Sequence, residues 1–211
     1  MTAPAVVVLL FGRRRVPRSL ADLPVVAVTA PEDVDAVTAP EDVDAVTQVR
    51  RVVVLGTHAD LATVLTRLLR TDRLDVEVGF ADHNWRARRA RSGTARRVPL
   101  IRDETGTVLV HAAYWLPPDD TTRTVAGEAV VDDTMLFDGE VTAVRIEPLP
   151  ELPGLRASVL TGRMRPRRWV TGRAAQLGTT AALVVRDGVP GPRTVKRSTF
   201  YRHTQGWLAV R

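Results

Sequence analysis

Cysteine is absent from this 211-residue chain, which excludes a disulfide scaffold, a thiolate metal site and a cysteine nucleophile. Lysine is almost absent too. Lys196 stands alone, so the formal charge of +6 rests on arginine. With abundant alanine, valine, threonine and glycine, this skew matches the codon bias of a GC-rich genome of actinobacterial type. Acidic residues are well mixed in, and the charge is discounted accordingly as a sign of a polyanion partner. No apolar run is long enough to span a bilayer. The run Ala5–Phe11 is followed, not preceded, by its arginines, the wrong order for a secretory signal. A cytoplasmic protein whose first strand is Ala5–Phe11 is expected. His58, His83, His111 and His203 form no H-E-x-x-H pair, which disfavours a zinc hydrolase. A G-x-S-x-G elbow is also missing, which disfavours a serine hydrolase.

What is present is organised around Arg51–Arg70. Val52–Leu55 make a short apolar run suited to a parallel strand covered on both faces. The chain breaks at Gly56-Thr57-His58. Leu61, Val64, Leu65, Leu68 and Leu69 then fall on one helical face, and Thr57 with Asp60 has the form of a capping box. Strand, glycine turn and helix N-terminus is a geometry used by phosphate-binding folds.

Around this centre the pattern is β, β, α, β, α, β, with strands expected at Ala5–Phe11, Pro24–Val28 and Leu74–Phe80. That order calls for a parallel sheet with covering helices. Residues 29–46 hold a tandem duplication, TAPEDVDAV at Thr29–Val37 and again at Thr38–Val46. Each copy carries helix-start chemistry. Nine residues advance a helix by about 900°, so the second copy would turn its valines away from the sheet that the first one meets. The helical period ends near residue 82. Residues 82–97 read as an arginine-rich loop, and beyond residue 98 short β-rich runs alternate with turn signals at Asp103–Gly106, Asp138-Gly139 and Asp187-Gly188. The predicted organisation is an α/β part at 1–81, the loop at 82–97, and a mostly antiparallel β-rich part at 98–211 that includes a last strand in GWLAVR.

Candidate chemistry falls in four places. Gly56, Thr57 and His58 could receive an anion at the helix end, although Asp60 already caps that end and repels a phosphate. Asp132, Asp133, Asp138 and Glu140 form an acidic group, with Asp133 the candidate base and Asp132 and Asp138 the only candidates for a metal. The competing reading gives Asp138 to a hairpin turn and the others to a wet strand face. Two basic stretches with aromatic neighbours, Arg86, Arg88, Arg89 and Arg91 beside Trp85, and Lys196-Arg197 before Phe200-Tyr201, could bind phosphates or stack bases.

VVVLGTHADL resembles the strand, G-G-D-G-T loop and helix of the diacylglycerol kinase and NAD kinase superfamily. Gly56 matches the first glycine. Thr57, His58, Ala59 and Asp60 stand at the second glycine, the aspartate, the third glycine and the threonine. GFADHN stands where the family has G-T-x-N, and Asn84 matches its asparagine. The resemblance implies an α/β lobe followed by a β-rich lobe, with Gly56, Thr57, His58 and Asn84 as nucleotide- or anion-binding positions. Phosphoryl transfer depends on positioning and charge neutralisation. The altered loop therefore implies a non-catalytic descendant that binds a nucleotide, a phospholipid head group or a protein, with no metal or other cofactor required. The alternatives are an active ATP- and Mg²⁺-dependent lipid or small-molecule kinase, and a nucleic-acid-binding module using the arginine loop.

Overall fold

The computed structural model describes residues 5–38 and 49–211. They divide into two compact units. One holds the residues up to 98 together with 205–211, and the other holds residues 99–204.

The first unit is a six-stranded sheet. Its strands are β1 (Ala5–Phe11), β2 (Val25–Val28), β3 (Val49–Leu55), β4 (Glu77–Ala81), β5 (Ala95–Val98) and, from the far end of the chain, β17 (Trp207–Val210). They lie in the order β2-β1-β3-β4-β17-β5. All neighbours are parallel except β17 and β5. Val52, Val53, Val54 and Leu55 are buried, as a strand with neighbours on both sides and helices on both faces requires. Each such side chain contributes about 1.5–3 kcal/mol by leaving water.

Helix α2 (His58–Arg70) turns Leu61, Val64, Leu65 and Leu68 inward. Its N-terminus carries the expected capping box. Thr57 N–H and Oγ1 donate to Asp60 Oδ2 at 2.7 and 2.8 Å, and Asp60 N–H donates back to Thr57 Oγ1 at 3.3 Å. The first repeat copy forms helix α1 (Glu32–Thr38), whose Val34 is buried. Asp33 closes its start by accepting from the Thr29 and Ala30 backbone N–H groups. Arg67 of α2 pairs with Asp35. Apart from Thr38, the second copy lies outside the described residues.

Two expectations for this unit need correction. The stretch 82–97 is not a loop. It contains a single 3₁₀ turn (Asn84–Arg86), helix α3 (Ala87–Ser92) and β5. Ala87 and Ala90 are its buried residues, and two alanines among arginines make too faint an apolar stripe to read as a helix face. The last strand, GWLAVR, does not join the β-rich part. Leu208 and Ala209 pair with Glu77 and Val78, and Trp207–Val210 with Ala95–Val98.

The second unit is mostly antiparallel. Its strands are β6 (Ile101–Asp103), β7 (Val108–Leu109), β8 (Ala113–Leu116), β9 (Val125–Val131), β10 (Thr134–Val141), β11 (Ala143–Pro148), β12 (Leu155–Leu160), β13 (Val170–Gly172), β14 (Ala174–Arg186), β15 (Val189–Pro190) and β16 (Val195–Arg202). The long β14 links the sheet by pairing with β8, β9, β15 and β16. Trp115, Phe200, Ile146 and Leu155 are fully buried in its core.

Asp187 and Gly188 both take positive φ, 49° and 87°, and close the expected hairpin. Asp138-Gly139 does not make a turn. These residues run inside β10 opposite Glu128 and Gly127. The turn lies earlier, where Asp132 takes φ 49° and its carboxylate accepts from the Arg173 and Ala174 N–H groups. Among the described residues no helix is long and apolar enough to cross a membrane.

Candidate functional site

The order of the first sheet reverses beside β1. From β1 the chain steps outward to β2, then back across to β3 and β4. In open α/β sheets ligands settle at the carboxyl ends of the strands beside such a reversal. Three turns occupy that edge here: Gly12–Val16 after β1, Gly56-Thr57 after β3, and Asp82–Arg86 after β4.

Gly12 takes φ +66°, a conformation that turns the chain directly into Arg13-Arg14-Arg15, all exposed. Arg14 Nη1 donates to the Asp82 carbonyl at 2.9 Å, so the first turn is tied to the third past the end of β3. His58 packs its ring on Phe80, the centroids 5.2 Å apart and the planes at 47°. Asp82 pairs with His83 at 3.2 Å and Arg86 at 3.3 Å. Burial pushes the Asp82 carboxyl up, but the His83 bond and the Arg86 charge outweigh it, and the group titrates below its ordinary 3.8.

The fold thus brings Gly56, Thr57, His58 and Asn84 to one edge, in the segments that follow the neighbouring strands β3 and β4. Arg14 was not singled out from sequence. A glycine directly after an apolar strand, followed by three arginines, was the available signal. The remaining candidates lie in the second unit. Asp132 is committed to its backbone partners, and Asp133, Asp138, Lys196 and Arg197 are exposed. Among the described residues no three His, Asp or Glu side chains gather as a metal site.

The basic stretch separates into two kinds of arginine. Arg91 bonds Asp22 at 2.6 and 2.7 Å and the Ser19 carbonyl at 2.8 Å, and so fastens α3 to the segment after β1. Arg86 lies over the Trp85 ring, 4.7 Å from its centroid. Arg88 and Arg89 face solvent.

The Arg91 bond is the largest cause holding Asp22 below its ordinary 3.8. A depressed carboxylate contributes stability above its unfolded pKa, and that contribution is lost as pH falls through the folded value. Amide protection in α3, corrected for intrinsic exchange, should therefore weaken on acidification below about pH 4. Asp22→Asn should remove that pH step. An unchanged step in the variant would rule out the Asp22–Arg91 tie as its source.

Comparison with solved structures gives the same fold for this chain as for two kinds of kinase. A diacylglycerol kinase from Bacillus anthracis str. Sterne superposes with a TM-score of 0.69 at 10% identity, covering 98% of this chain and 96% of that one. This is the diacylglycerol kinase and NAD kinase-like fold. An NAD kinase from Archaeoglobus fulgidus, in complex with ATP, gives a TM-score of 0.62 at 10% identity over 98% and 93% of the two chains. Yeast NADH kinase, complexed with NADH, gives 0.61 at 9% over 99% and 84%. No family model and no curated protein sequence matches the chain.

The kinase-like fold frames one question about Gly56. In the G-G-D-G-T loop a phosphate chain can approach bare backbone. Here a Cβ on Gly56 would already lie 2.6 Å from Asp60 Oδ2, because the capping carboxylate fills that side of the loop. Thr57 and Ala59 carry side chains where the resembled loop has glycine, and His58 stands in place of its aspartate.

Proposed function

We propose that this protein binds an anionic ligand, a nucleotide or a phospholipid head group, at the carboxyl edge of its first sheet and does not transfer a phosphoryl group. The observation that carries this reading is Arg14 held across the edge by the Asp82 carbonyl, beside a Gly56 loop closed by Asp60. The basic side chains of the Gly12–Val16 turn supply the attraction that the loop's backbone has given up. A cytoplasmic location agrees with a small, charged ligand.

Thermal melting with a panel of nucleotides and glycerol 3-phosphate, with and without Mg²⁺, tests the reading. A ligand present at 100 times its Kd stabilises by about 2.7 kcal/mol, and Arg14→Ala should weaken that binding on the order of tenfold. If no compound of the panel stabilises at millimolar concentration, the reading fails.

Asp60→Ala separates capping from binding. Loss of the capping box should cost about 1 kcal/mol. The same change frees the helix-end donors and removes a repelling charge, so anion affinity should rise several-fold. Weaker binding in Asp60→Ala would mean that the carboxylate contacts the ligand itself. Turnover of labelled ATP that disappears in Asp133→Asn would instead establish a divergent kinase.

A further inference from the structure

The first unit holds a cleft of about 400 Å³, at the small end of pockets that take small molecules. It exists because β17 runs alongside β4 for only a short distance. Their register ends at Ala209 opposite Val78, and Phe80 beyond it is paired only with Val54 of β3. The space left between α2 and α3 is lined by Leu61, Phe80, Trp85, Arg86, Arg89 and Trp207.

Three aromatic residues, Phe80, Trp85 and Trp207, and three arginines, Arg86, Arg89 and Arg211, line this cleft, and no Asp or Glu side chain does. Trp85 is 72% exposed, an unusual position for a ring of that size. Flat rings attract flat ligands, and guanidinium groups pair with carboxylate or phosphate. Arg86 shares its charge with Asp82 at 3.3 Å. Arg89 bonds no carboxylate among the described residues, so its charge is uncompensated.

The geometry points to a second binding site here, for a planar aromatic anion of one or two fused rings. Trp85 and Trp207 stack on the ring system, and Arg89 receives the anionic group. The site takes Trp85 and Arg86 from the Asp82–Arg86 turn but uses neither the Gly12–Arg15 turn nor the Gly56 loop, which carry the function proposed above.

Calorimetric titration of the full chain with 2-naphthoate and its neutral counterpart 2-naphthalenemethanol tests the site. The acid should bind saturably, and the alcohol about tenfold more weakly. Trp85→Ala should weaken binding of the acid on the order of tenfold. Arg89→Gln should remove the preference for acid over alcohol, and Arg89→Lys should keep most of it. Both side chains are exposed, so circular dichroism of each variant should match the parent. Absence of saturable binding, equal affinity for acid and alcohol in the parent, or Trp85→Ala binding like the parent would each overturn the site.

Discussion

Gly79→Ala is expected to lower stability by about 3 kcal/mol and the melting temperature by roughly 6–12 °C. Gly79 lies in β4, and helix α3 rests directly on it. A Cβ there would press on the Ala90 carbonyl oxygen and lie 2.8 Å from the Ala90 carbonyl carbon. The obstacle is backbone, so no change of rotamer relieves it. Either α3 moves away or β4 does. Movement of α3 carries Trp85 and Arg89 with it, and binding at the cleft should weaken in parallel. Gly178→Ala supplies the control. Its Cβ would meet nothing closer than the Glu128 side chain at 3.8 Å, and its effect should stay within about 0.5 kcal/mol. If the two variants melt together, the close seat of α3 on β4 is wrong.

Trp115→Ala should cost about 4 kcal/mol through the cavity that it leaves. Trp115 is fully buried in β8. Its ring lies 6.3 Å from that of Phe200, and its Nε1 donates to Ser198 Oγ at 3.0 Å. That bond joins strands on either side of β14. Truncation removes the ring and strands the Ser198 hydroxyl, which is 1% exposed. An orphaned buried hydroxyl adds about 1–3 kcal/mol. Trp115→Phe keeps most of the ring but still orphans Ser198. Adding Ser198→Ala to Trp115→Phe should therefore recover part of the loss, which equilibrium unfolding in urea can measure. A double variant less stable than Trp115→Phe alone would show that the serine serves the core in some other way.

The features legible in the chain were those written in neighbouring residues. The apolar run Val52–Leu55, the spacing of Leu61, Val64, Leu65 and Leu68, and the Thr57–Asp60 cap are local patterns with local causes. Asp187-Gly188 was legible for the same reason, since both residues take the positive φ that a tight hairpin needs. The same dipeptide misled at Asp138-Gly139. There the preceding turn had already been closed at Asp132, whose carboxylate finds its partners at residues 173 and 174, far along the chain. Helix α3 was hidden because its buried face is two alanines. Only the glycine beneath it, at residue 79, allows so small a face to make close contact.

Sequence by itself determined the order of the elements as far as β4, the strand, turn and helix at its centre, and the resemblance of fold. Tertiary structure decided where GWLAVR pairs, which arginines are tied down, and that Arg14 crosses to Asp82. It also decided that a cleft opens beyond the end of β17. The physical reason is range. Periodicity and capping act over one or two turns of chain, whereas strand partners and converging charges are set by contacts between residues tens of positions apart, whose selection depends on the whole packed sheet.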